Sequence, residues 1–172
     1  MSWDDFRAHF WIDYNLCICP TKRESSICIT KKGENDMNRI SIIALGVHDM
    51  KRSVKFYRNL GFKSEETSDE PKVIFFDTVT GTRLELYPIQ GLAEDINAAN
   101  PPKIVEGFAG ITLAHNVESE EKVRDTIELA RKAGATVAKE PQSVFWGGYH
   151  AYFADPDGYY WEVAYNPYLK EV

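Results

Sequence analysis

The sequence lacks three features that would each assign a broad class of function. Its 172 residues hold no apolar run near the roughly 20 residues that a membrane-spanning helix needs. Its 20 basic residues are outnumbered by 26 acidic ones, and no basic cluster larger than Lys31-Lys32 or Lys51-Arg52 occurs, so a nucleic-acid surface is not expected. The first residues lack the basic-then-apolar order of a secretory signal. We therefore expect a cytoplasmic protein that handles a small molecule and binds neither nucleic acid nor membrane.

Cysteine is also scarce, since the chain has only Cys17, Cys19 and Cys28. An odd number of cysteines without an export signal favours reduced thiols over a disulfide framework. Together with His9 they have the ligand types of a Cys₃His zinc site. The Cys-x-Cys spacing followed by a distant Cys28 is unlike a zinc knuckle, so loosely ordered thiols are the favoured interpretation and a structural zinc is the alternative.

The composition divides the chain near Met37. The polar run Lys31–Asp36 has the residues of a linker, and patterned apolar segments follow it without a break. The chain is 44% hydrophobic and 27% charged, which is enough apolar mass for a core. We predict an N-terminal extension, residues 1–36, that the fold does not need, and a folded domain, residues 37–172.

Two segments of the domain show the same order of elements, with a period of roughly 70 residues. In the first, Asp49 and Gly61 are the expected ends of a helix. In the second, Ser119 and Gly134 have the same roles, and Asp155-Pro-Asp-Gly158 has the residues of a turn. Hydrophobic patterning predicts strands Ile40–Val47, Phe62–Glu66, Val73–Asp77, Thr82–Tyr87, Phe108–Asn116, Thr136–Lys139, Gly148–Ala154 and Tyr159–Tyr165, helices Met50–Leu60 and Glu120–Ala133, and an irregular connection Pro88–Val105.

The order and spacing of several short motifs resemble the vicinal oxygen chelate superfamily, which includes glyoxalase I, bleomycin-resistance proteins and extradiol dioxygenases. The motifs are Val47-x-Asp49-Met50, Phe56-Tyr-Arg-Asn-Leu-Gly-Phe62, Leu84-Glu-Leu86 and Phe153-Ala-Asp-Pro-Asp-Gly-Tyr-Tyr-Trp-Glu162. The resemblance implies an α+β fold of two βαβββ modules, at about residues 37–88 and 106–167. It also implies that their strands form a curved mixed sheet around a cavity, usually in a homodimer.

In metal-using members of this superfamily, four inward-facing side chains hold the ion, one on the first and one on the fourth strand of each module. The resemblance places Ile42, Glu85, Gly110 and Glu162 at these positions. Two carboxylates alone give a weak, oxygen-only site that holds hydrated hard cations. We therefore expect no tight cofactor. A divalent Ni, Zn, Mn or Fe ion remains an alternative if His150 joins the two glutamates.

If Glu85 and Glu162 share a cavity without a cation, they repel, and the pKa of one should rise. Such a pair is a candidate general acid or base, or a hydrogen-bonding group for a polar ligand. The alternative is neutralisation by Arg83 or a neighbouring lysine. The sequence does not decide from which side of the sheet the His150 side chain projects, because the paired glycines before it permit a bulge.

Aromatic residues crowd the C-terminal part of the chain. Alternation puts Tyr160 on the side of Glu162 and Trp161 in the core. Phe145-Trp-Gly-Gly-Tyr149 has the residues of a flap over a cavity mouth, although core packing is the more frequent role of such rings. The candidate ligand-binding residues are thus Glu85, Glu162, Trp146, Tyr149, His150 and Tyr160.

Three functions remain open from the sequence. The favoured one is binding of a small organic ligand in the cavity without a tight metal. The first alternative is a lyase or isomerase of the glyoxalase I type, in which Glu85, Glu162 and His150 hold a metal. The second is a dimeric scaffold with a vestigial cavity.

Overall fold

A computed structural model describes residues 39–169, so the predicted extension with its cysteines lies outside the described residues. Helices and strands succeed one another in this part of the chain as β1 (Ile42–Val47), α1 (Met50–Asn59), β2 (Ile74–Asp77), β3 (Arg83–Pro88), α2 (Ile89–Ile96), β4 (Thr112–Asn116), α3 (Glu120–Ala133), β5 (Thr136–Ser143), β6 (Tyr149–Ala154) and β7 (Tyr160–Tyr165). No helix among residues 39–169 is long and apolar enough to cross a membrane.

The strands form two mixed sheets of similar topology. In the first sheet the order is β1-β3-β2, and in the second it is β4-β7-β6-β5. The first strand of each module pairs in parallel with the last, β1 with β3 and β4 with β7, and the other pairs are antiparallel. The predicted α+β fold with a repeated module is confirmed. We call β1–α1–β2–β3 the first module and β4–α3–β5–β6–β7 the second.

Both long helices begin and end where the sequence predicts. The Asp49 side chain accepts a hydrogen bond from the backbone N–H of Arg52, and the Ser119 side chain accepts one from that of Lys122. Gly134 ends α3 in the left-handed region, at φ 109°. Each helix buries one apolar face, which includes Val54, Phe56 and Tyr57 in α1, and Val123, Ile127 and Ala130 in α3.

Three predicted segments were wrong in detail. The strand expected at Phe62–Glu66 is reduced to a single bridge between Lys63 and Asp77, because the side chains of Ser64 and Glu66 hydrogen-bond nearby backbone N–H groups instead. Strand β4 begins only at Thr112, after Gly110 at φ 76°. The connection Pro88–Val105 contains the eight-residue helix α2.

One hydrophobic core joins the two modules. Phe56 and Tyr57 of α1 reach Phe153 and Trp161 of the second sheet, with ring centroids 6.4 and 6.2 Å apart for the pairs Phe56–Phe153 and Tyr57–Trp161. Phe153 and Trp161 stack with 4° between their planes. Trp161 is thus half-buried and packs against the core, on the side that the alternation predicts.

The turn between β6 and β7 fixes α1 to the second module. Tyr57 donates its hydroxyl to the buried Asp155 at 2.6 Å. Burial raises the pKa of Tyr57 well above its usual value, and the adjacent Asp155 carboxylate adds to the rise. Asp157, whose side chain is fully buried, accepts hydrogen bonds from the backbone and ring of His48, from Arg52 and from the hydroxyl of Ser53.

Candidate functional site

The second sheet has one apolar face and one polar face. Ala151, Phe153 and Val163 are buried in the core. Because side chains alternate along a strand, their neighbours His150 and Glu162 project from the opposite side. We call this side the open face of the second sheet. Its strands meet there in the pairs Ala114–Glu162, Glu162–Tyr152, Ala164–His150, Ala154–Tyr160 and Tyr152–Lys139.

Three titratable side chains on the open face are joined by hydrogen bonds. His150 lies in the middle, with Nδ1 at 2.7 Å from Oε1 of Glu162 and Nε2 at 2.6 Å from Nζ of Lys139. His150 is 9% exposed, while the side chain of Glu162 is 25% exposed. We call this group the Lys139–His150–Glu162 row.

The chemistry of the partners sets the roles of the atoms in the row. A carboxylate accepts and an ammonium donates. With both end groups charged, His150 is neutral, donates Nδ1–H to Glu162 and accepts from Lys139 through Nε2. The carboxylate thereby fixes the tautomer and the orientation of the imidazole ring. The row therefore holds its ammonium group in a fixed position on the open face.

Irregularities in β5 bring Lys139 to this face. Val137 pairs with Phe153 on the core side, and strict alternation would put Lys139 on that side as well. Register shifts between Val137 and Lys139, and between Lys139 and Gln142, instead pair Lys139 with Tyr152. Sequence reasoning missed Lys139 for this reason. The available signal was Pro141, because proline in a strand is typical of an edge or a bulge.

Two tyrosines flank the row on the open face. The ring of Tyr152 lies 5.3 Å from the ring of His150 and 6.0 Å from Nζ of Lys139. Partial burial raises the pKa of Tyr152, and a hydrogen bond with Glu162 adds to the rise. Tyr160 lies further along the face, where its ring contacts that of Phe108 at 5.8 Å.

Glu85 lies on the equivalent face of the first sheet, opposite Ala44 and Phe75. Its neighbours Leu84 and Leu86 are buried in the core, as the alternation predicts. Burial raises the pKa of Glu85, and the charge of Asp95 on α2 adds to the rise.

Among the described residues Arg83 forms its ion pair with Asp77 rather than with Glu85, since its Nε donates to Oδ1 of Asp77 at 2.7 Å. Helix α2 lies against one end of this face. An added Cβ at Gly46 would be 2.9 Å from Ile89, and one at Gly91 would be 2.9 Å from Tyr87. The two glycines thus permit the close approach of α2 to the first sheet.

The two remaining candidates have different surroundings. The ring of Trp146 packs onto the backbone of Gly148, in the loop just before β6. Tyr149 lies on the helix side of the second sheet, where its hydroxyl donates to the carbonyl of Pro141 at 3.2 Å and its ring lies 5.3 Å from the guanidinium of Arg124. The structure brings together His150 and Glu162, with Tyr160 on the same face, and leaves Tyr149 on the other.

A groove of about 530 Å³ lies away from the row, at the start of α1, and its lining includes His48, Lys51, Glu70 and Lys72. It contains none of the predicted site residues.

The ligand positions expected of a metal-using relative fit a transition metal poorly. Ile42 carries no donor atom, and Gly110 lies outside β4 and has no side chain. Within residues 39–169, no group of three or more His, Cys, Asp or Glu side chains is close enough to hold an ion. Both nitrogens of His150 already have partners, and the one not bound to Glu162 meets the amine of Lys139. A cation at that nitrogen would have to displace an ammonium group.

Comparison with known proteins identifies similar sequences and folds. The sequence model described as "Glyoxalase/Bleomycin resistance protein/Dioxygenase superfamily" matches residues 39–163. A glyoxalase-related enzyme from Fulvimarina pelagi has 30% sequence identity and a TM-score of 0.67, over 76% of this chain and 90% of its own. No curated protein matches the chain.

Two further solved structures show the same fold. A glyoxalase/bleomycin resistance protein/dioxygenase from Nocardioides has 25% identity and a TM-score of 0.60, over 77% of this chain and 86% of its own. A family enzyme from Burkholderia phytofirmans has 21% identity and a TM-score of 0.60, over 73% and 96% of the two chains.

Proposed function

Because the chain belongs to the glyoxalase/bleomycin resistance protein/dioxygenase superfamily, we propose that it binds a small organic ligand on the open face of its second sheet, without a tightly held metal. The observation that carries this proposal is the Lys139–His150–Glu162 row. Ordered, partly buried polar groups that converge on one surface are typical of a ligand site, because they fix the orientation of a bound molecule.

The surroundings of the row favour a ligand over a purely structural role. Ala114 and Ala154 share the face with the row and are not buried, so their short side chains leave room above the sheet. Tyr152 and Tyr160 supply ring surface for an apolar part of the ligand. Trp146 lies in the loop next to β6, from where it can cover one side of a bound molecule.

We further propose that a second copy of the chain completes the site. Glu85 and Glu162 belong to different sheets, and each lies on the face turned away from the common core. Strands β1 and β4 are edge strands of their sheets. Near their starts Ile42 is 47% exposed, Ile111 53% and Phe108 67%. Burial of these side chains against a partner would stabilise a homodimer and enclose the open face.

The metal-dependent lyase or isomerase is the less favoured function. It requires His150 to act as a ligand beside Glu85 and Glu162. The hydrogen bonds of His150 to Lys139 and Glu162 oppose that role.

A thermal-shift screen with elemental analysis tests the proposal. A ligand at 100 times its dissociation constant adds about 2.7 kcal/mol to the free energy of unfolding. We expect at least one compound of a broad panel to raise the melting temperature of the wild type. The same compound should shift the Glu162→Gln variant less, and a variant of the exposed Glu118, Glu118→Gln, as much as the wild type.

Two results would overturn the proposal. One is the absence of a shift with every compound, which would favour the scaffold. The other is stoichiometric Ni, Zn, Mn or Fe in the purified protein that is lost in Glu162→Gln and kept in Glu118→Gln, which would favour the metal enzyme.

A further inference from the structure

We propose that the Lys139–His150–Glu162 row recognises the carboxylate of a small organic acid, and that Lys139 is the residue that contacts it. The inference rests on the proposed function and adds the chemical class of the ligand. It follows from the hydrogen-bonding capacity of Lys139, the arrangement of the row and the pairing of the arginines of β3 and α3 with other carboxylates.

Lys139 has donors that the described protein does not use. An ammonium group carries three N–H donors and no acceptor. Nε2 of His150 takes one of them, and the ring of Tyr152 offers only its π face at 6.0 Å. Within residues 39–169, no carboxylate lies within ion-pair distance of Nζ. Two N–H donors and a full positive charge therefore remain available on the open face.

The carboxylate of Glu162 does not use the remaining N–H donors of Lys139. Glu162 binds Nδ1 of His150 and lies next to Tyr152, so its carboxylate is already occupied. The imidazole ring stands between the carboxylate and the ammonium group. His150 and Glu162 act here as positioning residues, because they hold the lysine head group in place at no further cost in side-chain entropy when a ligand binds.

The charge count favours a carboxylate over a phosphate. Phosphate sites usually combine several cations or a bidentate arginine. The arginines of β3 and α3 are engaged elsewhere, Arg83 with Asp77, Arg124 with Glu120, and Arg131 with Glu128 and Glu140. A single ammonium group with two free donors matches the single charge and two oxygens of a carboxylate.

Titration calorimetry with matched probes tests the inference. The probes are benzoate, the uncharged benzamide of the same shape, and phenyl phosphate. We expect benzoate to bind the wild type at least about tenfold more tightly than benzamide does, since a hydrogen bond to a charged group contributes about that much. We also expect it to bind more tightly than phenyl phosphate.

Variants then assign the contact to Lys139. Lys139→Gln should lose about tenfold or more in benzoate affinity, and Lys139→Arg should retain most of it. Lys122→Gln, which removes an exposed lysine from α3, should bind like the wild type. His150→Gln should weaken benzoate binding less than Lys139→Gln does, because it loosens the ammonium group without removing it.

Several results would overturn the inference. They are equal binding of benzoate and benzamide, tighter binding of phenyl phosphate, and wild-type benzoate affinity in Lys139→Gln. The comparison of benzoate with benzamide uses the wild type alone, so it does not depend on the folding of any variant. If benzamide or another uncharged compound binds as well as benzoate, the carboxylate inference fails while the proposed function stands. If nothing in the panel binds, both fail.

Discussion

The two sheets carry a glutamate at matching register positions, and the surroundings of the two glutamates differ. Glu85 lies opposite Ala44 and Glu162 lies opposite Ala114, each next to the first strand of its module. Helix α2 packs against one end of the first face. The second face has no such helix among the described residues and carries the Lys139–His150–Glu162 row. The two modules therefore place a glutamate at the same position, but the groups around the two glutamates differ.

The difference is electrostatic as well as steric. The carboxylate of Glu162 accepts a hydrogen bond from Nδ1 of His150 at 2.7 Å. Burial raises the pKa of Glu85, and the negative charge of Asp95 adds to the rise. The second glutamate is thus held in a polar network, whereas ionisation of the first opposes folding.

The largest expected effect is on the contact that holds the modules together. Asp157→Ala removes the acceptor used by His48, Arg52 and Ser53 and leaves the buried hydroxyl of Ser53 without that partner. We expect the free energy of unfolding to fall by about 3 kcal/mol, measured by urea denaturation. A control at the exposed Asp125, Asp125→Ala, should change it by less than about 0.5 kcal/mol. Equal effects of the two substitutions would show that the turn does not join the modules.

A second pair of variants compares the two faces directly. Gly46→Val places a side chain against Ile89 of α2, and we expect a loss of about 1–3 kcal/mol in the free energy of unfolding. Ala114→Val enlarges an exposed side chain on the open face and should cost less than about 0.5 kcal/mol. Chemical denaturation measures both. Similar losses of unfolding free energy at the two sites would contradict the claim that a helix packs closely on the first face and not on the second.

A third, smaller effect is expected from the row itself. Glu162→Gln keeps the size of the side chain but weakens the hydrogen bond from His150, so the free energy of unfolding should fall by about 1 kcal/mol. Glu118→Gln serves as the control. A more stable Glu162→Gln variant would indicate that the row is strained rather than stabilising.

The smallest effect concerns Glu85 and depends on pH. Burial raises its pKa in the folded state above the usual value of 4.5, so the folded protein holds the proton to higher pH than the unfolded chain does. Stability should therefore fall as pH rises from about 4.5 through the folded pKa. Glu85→Gln should lack this fall, so it should match the wild type below that window and exceed it above. Thermal melts over a pH series measure the difference, and parallel curves would contradict it.

Local patterns predicted most of the fold correctly. The caps at Asp49 and Ser119, the helix end at Gly134 and the alternation around Glu85 and Glu162 each depend on residues a few positions apart. The superfamily was also predicted correctly, because its motifs are short segments whose order along the chain can be read directly from the sequence. Helix α2 was missed although Ile89, Leu92, Ala93 and Ile96 have the spacing of a helix face, because the segment is only eight residues long and Gly91 weakens its helical signal.

The candidate site was predictable only in part. Strand parity identified Glu85, Glu162 and Tyr160, and it left His150 open. Lys139 was missed because bulges in β5 change its facing, and no period in the sequence reports a bulge. A lysine beside the glutamates was one expected arrangement, yet the structure puts Lys139 on His150 instead.

The most direct measurement is a map of backbone amide chemical shifts during titration with the panel compound that raises the melting temperature most. We predict that the largest changes fall on β5, β6 and β7 around Lys139, His150 and Glu162, with small changes around Glu85. Changes centred on β3 and α2 of the first module, with the row unaffected, would contradict it.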